Sequence, residues 1–181
     1  MKWTHIAHHH VNGELNFEQV KDYHTRPVSK KGRGWSDIGY HFFIERDGTV
    51  KEGRPLTRRG AHSIEANGFA IGVCMSGNFM KKGPTEAQYE AAAKLDYKLM
   101  QQFEIRVESI RRHKDFRPTE CPGKLFDMNK LKVLICELIN PKPKVLYKVQ
   151  VGAFAKKENA ERLVAELEAK GYSPFIKREE V

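Results

Sequence analysis

Two residues with metal-binding chemistry, His113 and Cys121, stand eight positions apart in RRHKDFRPTECPG. The loop between them carries Pro118 and is closed by Pro122 and Gly123. Imidazole and thiolate are both good zinc ligands, and two of them on one stiff loop supply half of a tetrahedral site. A structural zinc finger needs a close ligand pair at each end, and the chain contains no CxxC. Zinc held here is therefore expected to be catalytic, with three protein ligands and a fourth position open to water. Without a third ligand, the same two residues read as a surface histidine and a buried free cysteine.

The third ligand can come from the N-terminal stretch THIAHHHVNG, which holds His5, His8, His9 and His10. The run is short and ends in a turn-forming VNG, the pattern of a strand. In a strand alternate side chains share a face, so His8 and His10 point one way and His5, Ala7 and His9 the other. One of the two sets can face a common site; the rest of the triplet is then bystander.

Several elements must position these residues. FEQVKDYHT has helical spacing at Phe17, Val20 and Tyr23. GYHFFIERDGTVKEGR reads as a hairpin turning at Arg46-Asp47-Gly48. FAIGVCMSGNF is a run of small and β-branched apolar residues, suited to a strand buried on both faces. TEAQYEAAAKLDYKLMQQF predicts a helix capped by Thr85, and DMNKLKVLICELI a second helix starting at an aspartate. Strands mixed with helices predict an α/β domain over residues 1–139. NPKPK interrupts the chain, giving a linker at 140–145. Beyond it, 146–181 predicts a β-α-β segment: VLYKVQVGAF, an amphipathic helix ending at Gly171, and YSPFIKRE. So short a piece makes a poor core by itself.

The chain of 181 residues has a net charge of +9, from 32 Lys+Arg against 23 Asp+Glu. Such a surface favours polyanions: nucleic acid, anionic lipid or an anionic cell wall. No segment approaches the roughly 20 apolar residues that span a bilayer, and no apolar run near the N-terminus suits a signal peptide. Synthesis in the cytoplasm without membrane insertion is the expectation. Cys74, Cys121 and Cys136 are too few and too widely spaced for a disulfide framework, in keeping with a reducing compartment.

GWSDIGYHFFIERDGTVKEGRP, then GAH with Asn67, then AIGVCMSGNF and HKDFRPTECPG occur in collinear order. Over residues 3 to 135 this closely resembles the zinc-dependent N-acetylmuramoyl-L-alanine amidases, the family of phage endolysins, bacterial autolysins and animal peptidoglycan recognition proteins. The resemblance implies a mixed central β-sheet flanked by helices, with one zinc ion in a surface cleft. It implies hydrolysis of the amide joining the lactyl group of N-acetylmuramic acid to L-alanine in peptidoglycan. The family's first ligand follows a strand of the form Trp-Thr-x-Ile-Val-Ile-His-His-Ser. Aligning Trp3, Thr4 and Ile6 with that strand places the ligand at His9, while His8 for the usual aliphatic and Val11 for the usual small polar residue leave a register in which His8 binds. His113 and Cys121 match the other two ligands. A member lacking the cysteine would bind peptidoglycan without cutting it.

By the same resemblance, Tyr40 lies beside the metal-bound water and is the first candidate to pass a proton to the leaving amine. Thr119 would donate to the developing oxyanion, with hydrogen bonding inside its own loop as the plainer reading. His62 and Asn67 would line the substrate cleft. The absence of a signal peptide fits an enzyme that reaches the wall after release from the cytoplasm. A peptidoglycan-binding protein using the same cleft without turnover is the alternative.

YKVQVGAFAKKENAERLVAELEAKGYSPFI resembles the first half of a sporulation-related repeat (SPOR) domain, whose members bind glycan strands stripped of stem peptides. The resemblance implies a partial wall-binding segment, completed by a second chain in a homodimer or serving as a shortened anchor. A nucleic-acid partner would call for a basic recognition helix or an aromatic and basic strand face, and neither is visible.

Overall fold

The computed structural model describes residues 1–141 and 149–179, which fall in two compact units, Met1–Lys142 and Pro143–Val181. In the first unit the elements run β1 (His5–His10), α1 (Phe17–Thr25), β2 (Phe42–Ile44), β3 (Val50–Glu52), β4 (Ala70–Met75), α2 (Glu86–Phe103), β5 (Ile110–Arg112) and α3 (Met128–Ile139). The strands form one sheet in the order β3-β2-β4-β1-β5. Only the β2–β3 pair is antiparallel; β2, β4, β1 and β5 run parallel. The sheet is therefore mixed, as expected.

β4 is buried along its whole length and lies between β1 and β2, which explains its unbroken apolar sequence. Its two faces are unequal. Ile71, Val73 and Met75 join Ile6, Phe42 and Ile44 in the main core with Tyr89, Leu95 and Leu99 of α2 and Leu131 and Ile135 of α3. Ala70, Gly72 and Cys74 point the other way, where Cys74 packs with Phe43 and with Phe17 and Val20 of α1. The missing side chain at Gly72 lets the His62 ring lie against β4, where a Cβ would meet it at 2.3 Å.

Both long helices begin at sequence-legible caps. Thr85 accepts from Gln88 N–H while the Gln88 side chain returns to Thr85 N–H, a full capping box, and Asp127 accepts from Lys130 N–H. In α1 the buried residues are Phe17, Val20 and His24, whereas Tyr23 is exposed, so the inward stripe steps i+3 from Phe17 to Val20 and then i+4 to His24. No helix among the described residues is long and apolar enough to cross a membrane.

In the second unit α4 spans Lys157–Ala169, within the predicted helix. Among the described residues, 149–154 and 172–179 carry no strand assignment. Residues 142–148, which hold most of the predicted linker and the start of the first strand, lie outside the described residues. Val149, Val151 and Tyr172 are largely exposed.

Candidate metal centre

The centre is built by register. Ile6, Ala7 and His8 of β1 lie opposite Ile110, Arg111 and Arg112 of β5. One further step along two parallel strands brings His9 beside His113, on the same face. Their rings are 4.4 Å apart between centroids. Both residues sit where parallel strands end, the edge at which open α/β sheets present their ligand sites. The loop after His113 folds back, with Lys114 N–H donating to the Cys121 carbonyl, and so returns the thiol to the histidines. Cys121 Sγ lies 3.8 Å from His9 Nδ1. One ligand atom from each of His9, His113 and Cys121 falls within 4.8 Å of the others.

This donor set suits zinc. His113 Nε2 is buried without a hydrogen-bond partner, an arrangement that a metal ion would relieve. Burial, followed by the His62 and His113 rings, holds the His9 imidazole well below its usual range, so the ring is neutral. Burial pushes the Cys121 thiol up to about 11, against a hydrogen bond from the His10 backbone. A divalent cation would replace that proton and stabilise the thiolate.

His8 and His10, on the other side of the alternation, have separate partners. His8 is fully buried, its Nε2 2.8 Å from Asp96 Oδ2 of α2, and it stacks on Phe126. His10 Nδ1 accepts from Phe79 N–H. The triplet thus places one imidazole in the centre and two against the main core.

Tyr40 lies near His9, with ring centroids 5.3 Å apart, and its hydroxyl shares a hydrogen bond with Cys74. Burial, with Cys74 and Cys121 adding to it, pushes the phenol well above its usual range. Such a group donates a hydrogen bond and does not readily give up its proton. Thr119 Oγ1 accepts from Cys121 N–H at 3.3 Å, the loop bond of the plainer reading, and this leaves the hydroxyl proton free.

His62 is half-buried against His9 and β4, and Asn67 lies behind it. His62 Nδ1 lies 3.0 Å from His9 Nε2, and His62 Nε2 lies 3.1 Å from the Ala70 carbonyl. Burial brings its pKa down to about 3. Asn67 is buried, and its Oδ1 accepts from the N–H groups of His62 and Ser63 at 2.8 Å. Through these bonds Asn67 is tied to the His62 backbone and His62 to His9. The role of Cys74, read from sequence as core alone, also includes contact with Tyr40. The small-residue alternation of β4 was the signal for it, since His9, Cys74 and Phe43 occupy one level of the sheet.

The family model described as N-acetylmuramoyl-L-alanine amidase matches residues 1–124, and the SPOR domain model matches 143–181. The endolysin of Enterobacteria phage T3 is 39% identical over 105 residues, covering 55% of this chain and 67% of the relative. Peptidoglycan-recognition protein SC2 of Drosophila melanogaster is 40% identical over 107 residues, covering 59% and 55% respectively. Among solved structures, the N-acetylmuramoyl-L-alanine amidase LysC from Clostridium intestinale superposes with a TM-score of 0.65 at 34% identity, covering 74% of this chain and 85% of that one. The family match thus spans both the strand that carries His9 and the loop that carries His113 and Cys121, and the chain belongs to the N-acetylmuramoyl-L-alanine amidase family, of the endolysin and peptidoglycan-recognition-protein type, with a C-terminal SPOR segment.

Proposed function

We propose that the chain is a zinc-dependent enzyme that cleaves the amide between the lactyl group of N-acetylmuramic acid and L-alanine, with His9, His113 and Cys121 as metal ligands. The observation that carries this reading is the convergence of the three ligand atoms within 4.8 Å. Zinc bound by two imidazoles and a thiolate would polarise the scissile carbonyl and lower the pKa of its water. Tyr40 keeps its proton and offers a donor beside the centre. Thr119 holds the Cys121 loop and directs its remaining hydroxyl proton to the carbonyl oxygen that gains charge in the transition state.

The test compares wild type with His8→Ala, His9→Ala and Cys121→Ala for zinc content and for release of new L-alanine amino termini from purified wall. His9→Ala and Cys121→Ala should lose both, while His8→Ala should keep its zinc. Zinc and full activity retained by Cys121→Ala would overturn the assignment. Peptidoglycan-recognition proteins among the relatives favour one second reading, wall binding without turnover. It predicts bound zinc and bound wall with no new amino termini.

For the tail, the SPOR match supports binding to wall glycan. The exposed Val149, Val151 and Tyr172 are compatible with pairing to a second copy, which sedimentation would show as a dimer. We place the action at the wall, after release from the cytoplasm.

A further inference from the structure

We propose that His62 is a positioning residue: its ring, anchored on the Ala70 carbonyl, holds His9 in the tautomer that carries its proton on Nε2 and leaves Nδ1 free for the metal. The inference rests on the reading of His9 as a ligand. A carbonyl oxygen only accepts, so His62 Nε2, 3.1 Å from Ala70 O, must carry a hydrogen. In the neutral ring His62 Nδ1 is then bare and can only accept. His9 Nε2, 3.0 Å away, is left as the donor. His9 Nδ1 retains its lone pair, and that is the atom facing Cys121 Sγ at 3.8 Å. Each assignment follows from the one before it, and the first is made by a backbone atom of β4 that cannot change its role.

The surroundings of His62 are shaped to keep its ring in this place. A Cβ at Gly72 would stand 2.3 Å from His62 Cδ2, and one at Gly60 would stand 2.5 Å from the same atom. Glycine at both positions is what lets the imidazole lie against β4. Asn67 Oδ1 fixes the backbone from which the ring projects, through the N–H groups of His62 and Ser63. Metal-ligating histidines commonly donate their second N–H to a carboxylate or a carbonyl. Here a neutral ring is interposed, which orients His9 without adding negative charge beside the Cys121 thiolate.

The experiment reads the ring nitrogens of His9 by nitrogen-15 NMR in the full-length chain, metal-free and zinc-loaded, at mildly alkaline pH. Zinc affinity is measured alongside for wild type, His62→Asn and His62→Leu. The wild-type metal-free ring should show hydrogen on Nε2, with the zinc-dependent shift on Nδ1. His62→Leu should give mixed tautomers and zinc binding weakened about 10- to 100-fold. His62→Asn, whose amide oxygen can replace the accepting nitrogen, should restore a single tautomer and most of the affinity. Hydrogen on His9 Nδ1 in wild type would overturn the proposal, even if His62→Leu failed to fold. So would an unchanged tautomer and zinc affinity in His62→Leu accompanied by a raised KM, the behaviour of a substrate contact. The tautomer is read without metal, so failure of the zinc assignment and failure of this one give different results.

Discussion

At the scale of single residues, the centre separates groups that could hold a metal from groups that could act on the substrate, and substitution can address the two sets independently. Tyr40 touches His9 through its ring and Cys74 through its hydroxyl. Tyr40→Phe removes only the hydroxyl. The expected outcome is unchanged zinc content and a kcat lowered on the order of 10²-fold, the usual cost of losing one donor to a developing oxyanion. Steady-state assay on a soluble muropeptide checks it, and loss of zinc would instead mean that the hydroxyl supports the ligands. The ligand types and the His113–Cys121 spacing were legible in the sequence because one stiff loop carries them. Strand alternation narrowed the triplet to His9 or to the His8 and His10 pair, and family register favoured His9. The partners of His62 and Asn67 were not legible, since which ring nitrogen meets which carbonyl depends on a contact between β1, β4 and a loop 53 residues from His9.

At the scale of elements, β1 has to present His9 to one face while burying two imidazoles on the other. A slip of one residue would exchange the faces. The His8–Asp96 pair, fully buried at 2.8 Å, ties the strand to α2 in the observed register, although His8 Nδ1 and Asp96 Oδ1 have no partner. Breaking such a pair from one side leaves a stranded polar group. Asp96→Ala should therefore lower stability by about 3–5 kcal/mol, whereas replacing both with leucine should be neutral or stabilising. Urea denaturation of the two variants checks this, and equal losses in both would show that the pair is favourable in its own right. Long, capped and periodic elements such as α2 could be read in advance. In the tail, the amphipathic spacing of KENAERLVAELEA was enough to read α4 in advance.

At the scale of the whole molecule, the two units allow separate tests. Removing residues 143–181 should leave cleavage of a soluble muropeptide unchanged and reduce co-sedimentation with purified wall; unchanged sedimentation would remove the tail's wall-binding role. Acid stability, in contrast, is set within the first unit. His24 and His41 are both buried, and each accepts a backbone N–H, from Gly39 and Gly72 respectively. Burial first, then nearby arginines, brings His24 from 6.5 to about 4. Burial likewise brings His41 to about 4, partly opposed by its bond to the Arg58 carbonyl. The folded state thus resists a proton that the unfolded chain accepts. Below pH 6.5 the unfolded state binds more protons, so stability falls as pH drops, and the loss from these two groups levels off near pH 4. Each contributes a slope of up to roughly 1.4 kcal/mol per pH unit within that window. Burial raises the Asp115 carboxyl, but hydrogen bonds from Arg112 more than offset it and hold the group below its usual range, so its own loss falls at lower pH and does not overlap. Urea midpoints of the metal-free chain between pH 7 and pH 4.5 should decline at least on this slope, since burial also holds His9, His10 and His62 low, and more shallowly in His24→Gln. A flat profile across that window would mean that these two rings are protonated in the folded protein, and that the N–H groups of Gly39 and Gly72 bond elsewhere.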